Sequence, residues 1–201
     1  GYRAGIDPVL LAATCPDGGS PVTVLDCGAG IGTVGLCIAR RLPQARVTLV
    51  EREPSLAGLA AGNIAANGLE DRVDLVTADL TGPLSLTPQL AARAGTFDHV
   101  LANPPYHPDD AGTRSQNPVK DGANAMPDGG LEAWARFMAA MTRGGGTATL
   151  IHRADALPAI LDAVAGRFGG LKILPIYSRS GETANRVVVR GIKGSRAPLT
   201  L

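Results

Sequence analysis

A chain of 201 residues with 45% hydrophobic content and a formal charge of +1 is long enough to bury the core of one domain. Its 26 Gly and 15 Pro residues follow no fixed period, which excludes collagen-like and low-complexity chains. No uncharged apolar stretch reaches the roughly 18 to 20 residues of a membrane span, and the first residues lack the regions of a signal peptide. These properties predict a cytoplasmic protein with no membrane partner.

The three cysteines predict neither disulfides nor a metal site. Cys15, Cys27 and Cys37 are an odd number of thiols, without the C-x-x-C spacing or the neighbouring His that a zinc site needs. We therefore expect reduced side chains that pack as small hydrophobes, and no bound metal.

The near-zero net charge combines two unlike regions. Residues 1–150 carry 11 basic and 15 acidic side chains, whereas residues 151–201 carry 8 basic and 3 acidic ones. A polyanion is therefore expected to meet the C-terminal quarter first.

Strands and helices alternate along the first 150 residues. Short apolar runs predict buried strands, and apolar residues at spacings of three and four predict helices. The predicted strands cover residues 22–25, 47–51, 72–79 and 147–153, and a further strand begins at Phe97 and runs into a Pro-Pro pair. The predicted helices cover residues 33–42, 54–67 and 129–143, with a short helical piece within 81–95. Asp128 is expected to cap the helix over 129–143, and the glycines at 144–146 are expected to end it.

The C-terminal region predicts a helix over 156–168 and an antiparallel pair of strands over 171–177 and 186–193. The whole pattern predicts an α/β fold, with a mostly parallel seven-stranded sheet, helices on both faces and an antiparallel C-terminal hairpin. Residues 107–127 contain almost no apolar side chains and predict a loop long enough to suggest a function.

A glycine-rich turn joins the first strand to the first helix, where doubly wound sheets bind nucleotides. We expect Gly28, Gly30 and Gly32 to leave room for a ligand against the backbone. A dinucleotide fingerprint would need Gly or Ala at Thr33, and Asp26 would repel a pyrophosphate. Asp26 instead suits a cofactor with a cationic amino-acid head. A turn that serves only close strand and helix packing is the alternative.

Two further acids end the next two strands. Glu51 can accept hydrogen bonds from both hydroxyls of a ribose, and Asp79 or the backbone at Leu80 can accept from the amino group of an adenine. Each acid alone is typical of a solvated strand end. Together with Asp26 and the glycine turn, they resemble the S-adenosylmethionine site of the Rossmann-like class I methyltransferases. The resemblance spans residues 22–193 and implies that fold and that cofactor.

The tetrapeptide Asn103-Pro104-Pro105-Tyr106 follows the fourth strand. A planar amine attacks a methyl group poorly because its lone pair is delocalised. The Asn103 side chain and the Pro104 carbonyl can each accept an N–H hydrogen bond and direct the lone pair toward the methyl group. Pro105 keeps these acceptors rigid, and Tyr106 offers a face on which a base can stack. An ordinary Asn-Pro turn that closes a strand is the alternative.

The tetrapeptide is similar to the (N/D)PP(Y/F) motif of amino methyltransferases that act on adenine, on guanine or on a protein glutamine. Residues 2–11 resemble the RxGxDxxLLA segment of the bacterial tRNA(Val) adenine methyltransferases, and the C-terminal GSRAPLTL also resembles that family. The resemblance implies one catalytic domain over residues 1–201, trimmed at both ends, which methylates the exocyclic amine of adenine in RNA. A tRNA is the favoured substrate.

Basic side chains are the candidates for RNA contacts: Arg114, Lys120, Arg186, Arg190 and Lys193. A solvated surface explains them equally well. The same chemistry on a protein glutamine, a guanine of rRNA or a small amine stays open, and the sequence leaves the oligomeric state undetermined. A catalytically silent nucleic-acid-binding module is disfavoured by the intact Asp26, Glu51 and Asn103, and a nucleotide-dependent oxidoreductase is disfavoured by Thr33.

Overall fold

The computed structural model describes residues 5–17, 19–105 and 130–201. Within these ranges, seven strands form one sheet: β1 Thr23–Cys27, β2 Arg46–Glu51, β3 Val73–Thr77, β4 Phe97–Ala102, β5 Thr142–Arg153, β6 Phe168–Ile176 and β7 Arg186–Lys193. The helices of the same ranges are α1 Asp7–Ala13, α2 Thr33–Arg41, α3 Pro54–Ala66, α4 Pro88–Ala91, α5 Gly130–Met141 and α6 Leu157–Val164. Short 3₁₀ turns cover Leu84–Leu86 and Ala154–Ala156.

The strand order confirms the predicted architecture. The sheet runs β3-β2-β1-β4-β5-β7-β6, with β1 to β5 parallel and β7 antiparallel to both β5 and β6. The chain builds outward from β1 to β3 and then returns to place β4 on the other side of β1. This reversal creates a crevice at the carboxyl ends of β1 and β4, the usual ligand position in open α/β sheets.

Both faces of the sheet bury a core, because successive side chains of a strand point to opposite faces. Leu25 and Cys27 of β1 pack into the cluster that includes residues of α5 and α6. Val24 packs into the opposite cluster, with residues of α1, α2 and α3. Helices therefore cover both faces, as predicted. None of the helices in the described residues is both long and apolar enough to cross a bilayer.

Helix α1 covers residues that the sequence analysis left without a secondary structure. Its C-terminal end is held by Arg41 of α2, whose Nη2 donates to the carbonyl oxygens of Ala12 at 3.0 Å and Cys15 at 2.6 Å. Its first residue, Asp7, pairs with Arg186 of β7 at 2.8 Å between Oδ2 and Nε. These contacts fix α1 against α2 and the C-terminal strands.

The predicted boundary between α5 and β5 is wrong. The helix ends at Met141, and β5 begins at Thr142, whose Oγ1 donates to the carbonyl of Met138 at 2.7 Å. The three glycines lie inside β5, beside a register shift in its pairing with β4. A Cβ on Gly146 would stand 2.9 Å from the carbonyl oxygen of Asp98, so this glycine permits close approach of two strands. The predicted cap at Asp128 lies outside the described residues.

The predicted helix over 156–168 is also too long. Helix α6 ends at Val164, and Gly166 turns the chain with a left-handed φ of +69° before β6 begins at Phe168. Gly166 therefore ends this helix early, as glycines commonly do just past a helix end.

Asp98 ties together the amino ends of β1, β4 and β5. Its Oδ2 accepts hydrogen bonds from the backbone N and the Oγ1 of Thr23, both at 2.8 Å, and its Oδ1 accepts from Nε of Arg143 at 2.6 Å. Burial raises the pKa of this carboxyl group, but the hydrogen bonds outweigh burial and hold the pKa below its usual value. Ionised Asp98 therefore stabilises the fold, and this stabilisation is lost as the pH falls through the lowered pKa.

We expect Asp98→Ala to lower the free energy of unfolding at pH 7 by about 1–3 kcal/mol, because it removes three hydrogen bonds to a charged acceptor. Urea unfolding from pH 7 to pH 3 measures this loss, which should shrink at the acid end as the wild-type carboxyl group is protonated. The exposed Asp71 provides a control, and Asp71→Ala should change the free energy of unfolding by less than about 0.5 kcal/mol. A loss that does not vary with pH would contradict the assignment.

Candidate functional site

The strand register brings the predicted site residues to one edge of the sheet. Cys27, the last residue of β1, is paired with Val50 of β2 and with Ala102 of β4. The residues that follow these three positions are Gly28, Glu51 and Asn103. We call this region the carboxyl edge, defined by the ends of β1, β2, β3 and β4.

The glycine turn adopts a backbone that other residues rarely adopt. The φ angles are +65° at Gly28, +57° at Gly30 and +88° at Gly32. At Gly28 and Gly32 the space where a Cβ would stand is filled by protein, and the expected room for a ligand against the backbone of the turn stays a prediction. A Cβ on Gly28 would overlap the ring of Trp134, and one on Gly32 would stand 3.1 Å from Cδ1 of Leu49. Glycine is therefore needed at these two positions for conformation and close packing.

The carboxylate of Glu51 holds the glycine turn in place. Its Oε2 accepts a hydrogen bond from the backbone N of Gly30 at 2.7 Å, and its Oε1 accepts from the backbone N of Glu53 at 2.9 Å. Glu51 is only 6% exposed. Each carboxylate oxygen can accept a second hydrogen bond, so the group still has capacity for two hydroxyl donors of a ligand. The sequence predicted the ligand contacts but not the support of the turn.

Asp26 lies under the turn, with its side chain held against α2. It is 1% exposed, and its Oδ2 accepts a hydrogen bond from the backbone N of Gly35 at 2.9 Å. Burial raises the pKa of Asp26 to about 7; repulsion by Glu51 adds to the rise, and the Gly35 hydrogen bond opposes it. A positive charge nearby would favour the ionised form. The two acids therefore favour a positively charged ligand at this turn.

Asp79 lies in the exposed turn just beyond β3. The predicted third strand ran to residue 79, but β3 ends at Thr77. The Oδ1 atom of Asp79 accepts hydrogen bonds from the backbone N of Thr81 at 2.8 Å and from its Oγ1 at 2.7 Å, and these bonds lower the pKa of Asp79. Leu80 is buried in the core cluster that also contains Trp134. Both predicted residues therefore follow β3 at the carboxyl edge.

The segment Asn103-Pro104-Pro105 leaves the sheet directly after Ala102, the last residue of β4. Asn103 and Pro105 are half-buried, and Pro104 is buried. Because Ala102 is paired with Cys27, Asn103 follows β4 beside the start of the glycine turn. Tyr106, Arg114 and Lys120 lie outside the described residues.

The C-terminal basic residues that are predicted to contact RNA also contact the protein. Nη1 of Arg190 donates to the carbonyl oxygen of Thr14 at 3.5 Å, and Nζ of Lys193 donates to that of Thr142 at 2.7 Å. Arg186 pairs with Asp7, as described above. These side chains support α1 and β5, and their contact with RNA stays a prediction.

Sequence reasoning missed three residues that support the site. Gly35 donates to Asp26, and a side chain there would overlap Leu49. Nδ2 of Asn63 donates to the carbonyl oxygen of Ile31 at 2.9 Å and so ties α3 to the glycine turn. The sequence signal for Asn63 is that it carries the single amide side chain of α3, a helix whose other side chains are mostly small and apolar. Trp134 is the third, and no local pattern could have paired it with a turn more than 100 positions away.

Two features of the described ranges bear on metal binding and on disulfides. No group of three or more His, Cys, Asp or Glu side chains there is placed to hold a metal ion. Cys15, Cys27 and Cys37 are free thiols.

Comparison with known proteins identifies relatives of two substrate classes. A tRNA1(Val) (adenine(37)-N6)-methyltransferase of Porphyromonas gingivalis is 38% identical over 109 residues, which are 52% of this chain and 41% of the relative. A release factor glutamine methyltransferase of Moorella thermoacetica is 32% identical over 165 residues, which are 78% of this chain and 55% of the relative. The chain thus spans only about half the length of these curated relatives.

Solved structures and a family model agree on the fold. A crystal structure of an Agrobacterium tumefaciens protein, a predicted O-methyltransferase, is 34% identical with a TM-score of 0.80, over 96% of this chain and 84% of that one. A precorrin-6y C5,15-methyltransferase of Geobacter metallireducens shares the fold, with a TM-score of 0.60 at 16% identity over 94% of this chain and 87% of that one. The model of the methyltransferase small domain matches residues 8–133. The chain therefore belongs to the methyltransferase small-domain family, and its cofactor is S-adenosylmethionine.

Proposed function

We propose that the chain is the catalytic domain of a cytoplasmic enzyme that methylates the exocyclic amine of an adenine in RNA, with a tRNA as substrate. The observation that carries this proposal is the position of Asn103-Pro104-Pro105, directly after β4 and beside the glycine turn. The similarity to tRNA1(Val) adenine methyltransferases supports the choice of acceptor.

The carboxyl edge provides the cofactor-binding groups. Glu51 accepts from the ribose hydroxyls with the lone pairs that Gly30 and Glu53 leave free. Asp26 favours the cationic amino-acid head through its charge. Asp79 or the backbone at Leu80 accepts from the adenine amino group. S-adenosylmethionine supplies an activated methyl group on a sulfonium, so the protein needs no covalent intermediate.

Asn103 and Pro104 act on the acceptor. The side-chain oxygen of Asn103 and the carbonyl oxygen of Pro104 each accept one N–H of the target amine, which turns its lone pair toward the methyl carbon. Pro104 is buried and Pro105 half-buried, so the two acceptors are held by a rigid, packed segment. Stacking of the base on Tyr106 remains a prediction from the sequence.

The buried charge at Asp26 should weaken the fold and strengthen cofactor binding. Its folded pKa of about 7 lies above the ordinary value of 3.8, so the folded protein loses stability as the pH rises between these values. Asp26→Asn keeps an acceptor for Gly35 and removes the charge. We expect the variant to gain on the order of 1–3 kcal/mol of stability over the wild type at pH 8, with a smaller difference at pH 5.

The same variant should bind S-adenosylmethionine at least about tenfold more weakly, because the cation loses its buried counter-charge. Thermal unfolding at several pH values and calorimetric titration measure the two effects. Asp162→Asn, at an exposed position of α6, is the matched control and should leave both unchanged. A variant with weaker binding but a wild-type pH profile would show that Asp26 is ionised in the free protein.

We expect Glu51→Gln to disturb the glycine turn itself. Both oxygens of Glu51 accept backbone N–H groups, so the amide nitrogen of Gln must face one of these donors. The cost is about 1–3 kcal/mol in the free energy of unfolding, and cofactor affinity should fall at least about tenfold. Glu53→Gln is the control, because the exposed Glu53 uses only Oε1 toward Ser55. Equal effects of the two substitutions on affinity would contradict this role.

Asn103→Ala should separate chemistry from cofactor binding. Loss of one amine acceptor should lower kcat by about 10²- to 10³-fold with total tRNA, while the Kd for S-adenosylmethionine stays within about threefold. Asn67→Ala is the control, at the end of α3 on the opposite edge of the sheet. An active Asn103→Ala variant would rule out the proposed mechanism.

A protein glutamine is the second candidate acceptor. The glutamine methyltransferase of Moorella thermoacetica aligns with 78% of this chain, a larger share than the tRNA relative. The amide nitrogen of a glutamine side chain is also planar, and it would donate to the same two acceptors, the Asn103 side chain and the Pro104 carbonyl. Equal amounts of total tRNA and of a peptide-chain release factor can compete for labelled cofactor. Label recovered as N-6-methyladenosine supports the RNA proposal, and label recovered only in protein favours the glutamine.

A further inference from the structure

The indole ring of Trp134 lies directly against the glycine turn. A Cβ atom on Gly28 would overlap Cη2 of this ring and would stand 3.2 Å from Cζ3 and 3.4 Å from Cζ2. All three atoms belong to the outer six-membered ring, so the far edge of the indole fills the space that a side chain at position 28 would need. Trp134 is 9% exposed, and close packing of this kind leaves the turn little freedom to shift.

Trp134 also packs near the ends of β1 and β4, the strands that lead into the glycine turn and into the Asn103-Pro104-Pro105 segment. It belongs to the core cluster that contains Cys27 and Ala102, which are paired on β1 and β4. The next residues, Gly28 after β1 and Asn103 after β4, are the points at which the backbone leaves the sheet. The buried ring of Trp134 therefore packs on the glycine turn. It also shares a core cluster with β1 and β4, which precede the glycine turn and the Asn103 segment.

We propose that Trp134 is a positioning residue of the methyl-transfer site, whose ring holds the glycine turn in its cofactor-binding shape and whose fluorescence reports occupation of that turn. The inference rests on the proposed function, because it takes the turn to bind S-adenosylmethionine. Without the outer ring, the backbone at Gly28 faces a cavity into which it relaxes. Displacement of the turn then weakens cofactor binding, although no group that touches the substrate has changed.

Trp134→Phe removes the three ring atoms that meet Gly28 and keeps an aromatic side chain in the core. The KM for S-adenosylmethionine should rise about tenfold, while kcat at saturating cofactor stays within about threefold because Asn103 is intact. Phe137→Leu is the matched control, on the same helix and 7% exposed. It should lower the Tm and leave the KM within about twofold. A Trp134→Phe enzyme with a wild-type KM would overturn the proposal.

A measurement on the wild-type chain avoids any effect of substitution on folding. Trp134 is the one Trp in the sequence, so tryptophan emission comes from this ring alone. Titration with S-adenosylhomocysteine, the demethylated cofactor, should give a saturable emission change with the same Kd as calorimetry. Calorimetric binding with unchanged emission would overturn the role of Trp134 and leave the proposed function intact. No calorimetric binding would overturn the proposed function and this inference together.

Discussion

Two hydrogen bonds from backbone N–H groups to buried carboxylates, Gly30 to Glu51 and Gly35 to Asp26, set the shape of the site. The first fixes the left-handed glycine turn against the end of β2, and the second fixes the start of α2 against β1. Each bond offsets part of the cost of burying a carboxylate, but two acids remain close together in a protected place. Two buried acids close together favour a positive charge nearby, so a cationic cofactor suits this turn better than a pyrophosphate.

The sheet brings this local arrangement together with the segment that we propose binds the methyl acceptor. Parallel pairing aligns the ends of β1, β2 and β4, so the cofactor turn and the Asn103 segment leave the sheet side by side at the point where strand order reverses. The ring of Trp134 packs against the same turn at Gly28 and helps to hold it in place. Burial of the ionised Asp26 lowers the free energy of unfolding at neutral pH. Binding sites commonly retain such destabilising groups because function needs them.

Local patterns in the sequence predicted the order of the strands, the mixed sheet and the edge at which the candidate site residues lie, because buried strands and amphipathic helices have distinct periods. Contacts between distant residues were not predictable in this way. The glycines before residue 147 were expected to end a helix, but they lie within β5, and Gly146 permits the close approach of β5 to β4. The pairing of Arg186 with Asp7, 179 positions away, could not be predicted from local patterns. The packing of Trp134 against Gly28 could not be predicted in this way either.

The measurement that tests the central claim most directly is the number of protons released when S-adenosylmethionine binds. Calorimetric titration near pH 7 in two buffers of different ionisation enthalpy gives this number. If the cofactor charge ionises a buried Asp26 whose pKa is about 7, the wild-type chain should release up to about half a proton at pH 7, and Asp26→Asn should release none. Tight binding to the wild type without proton release would contradict the view that the cofactor charge ionises a protonated, buried Asp26.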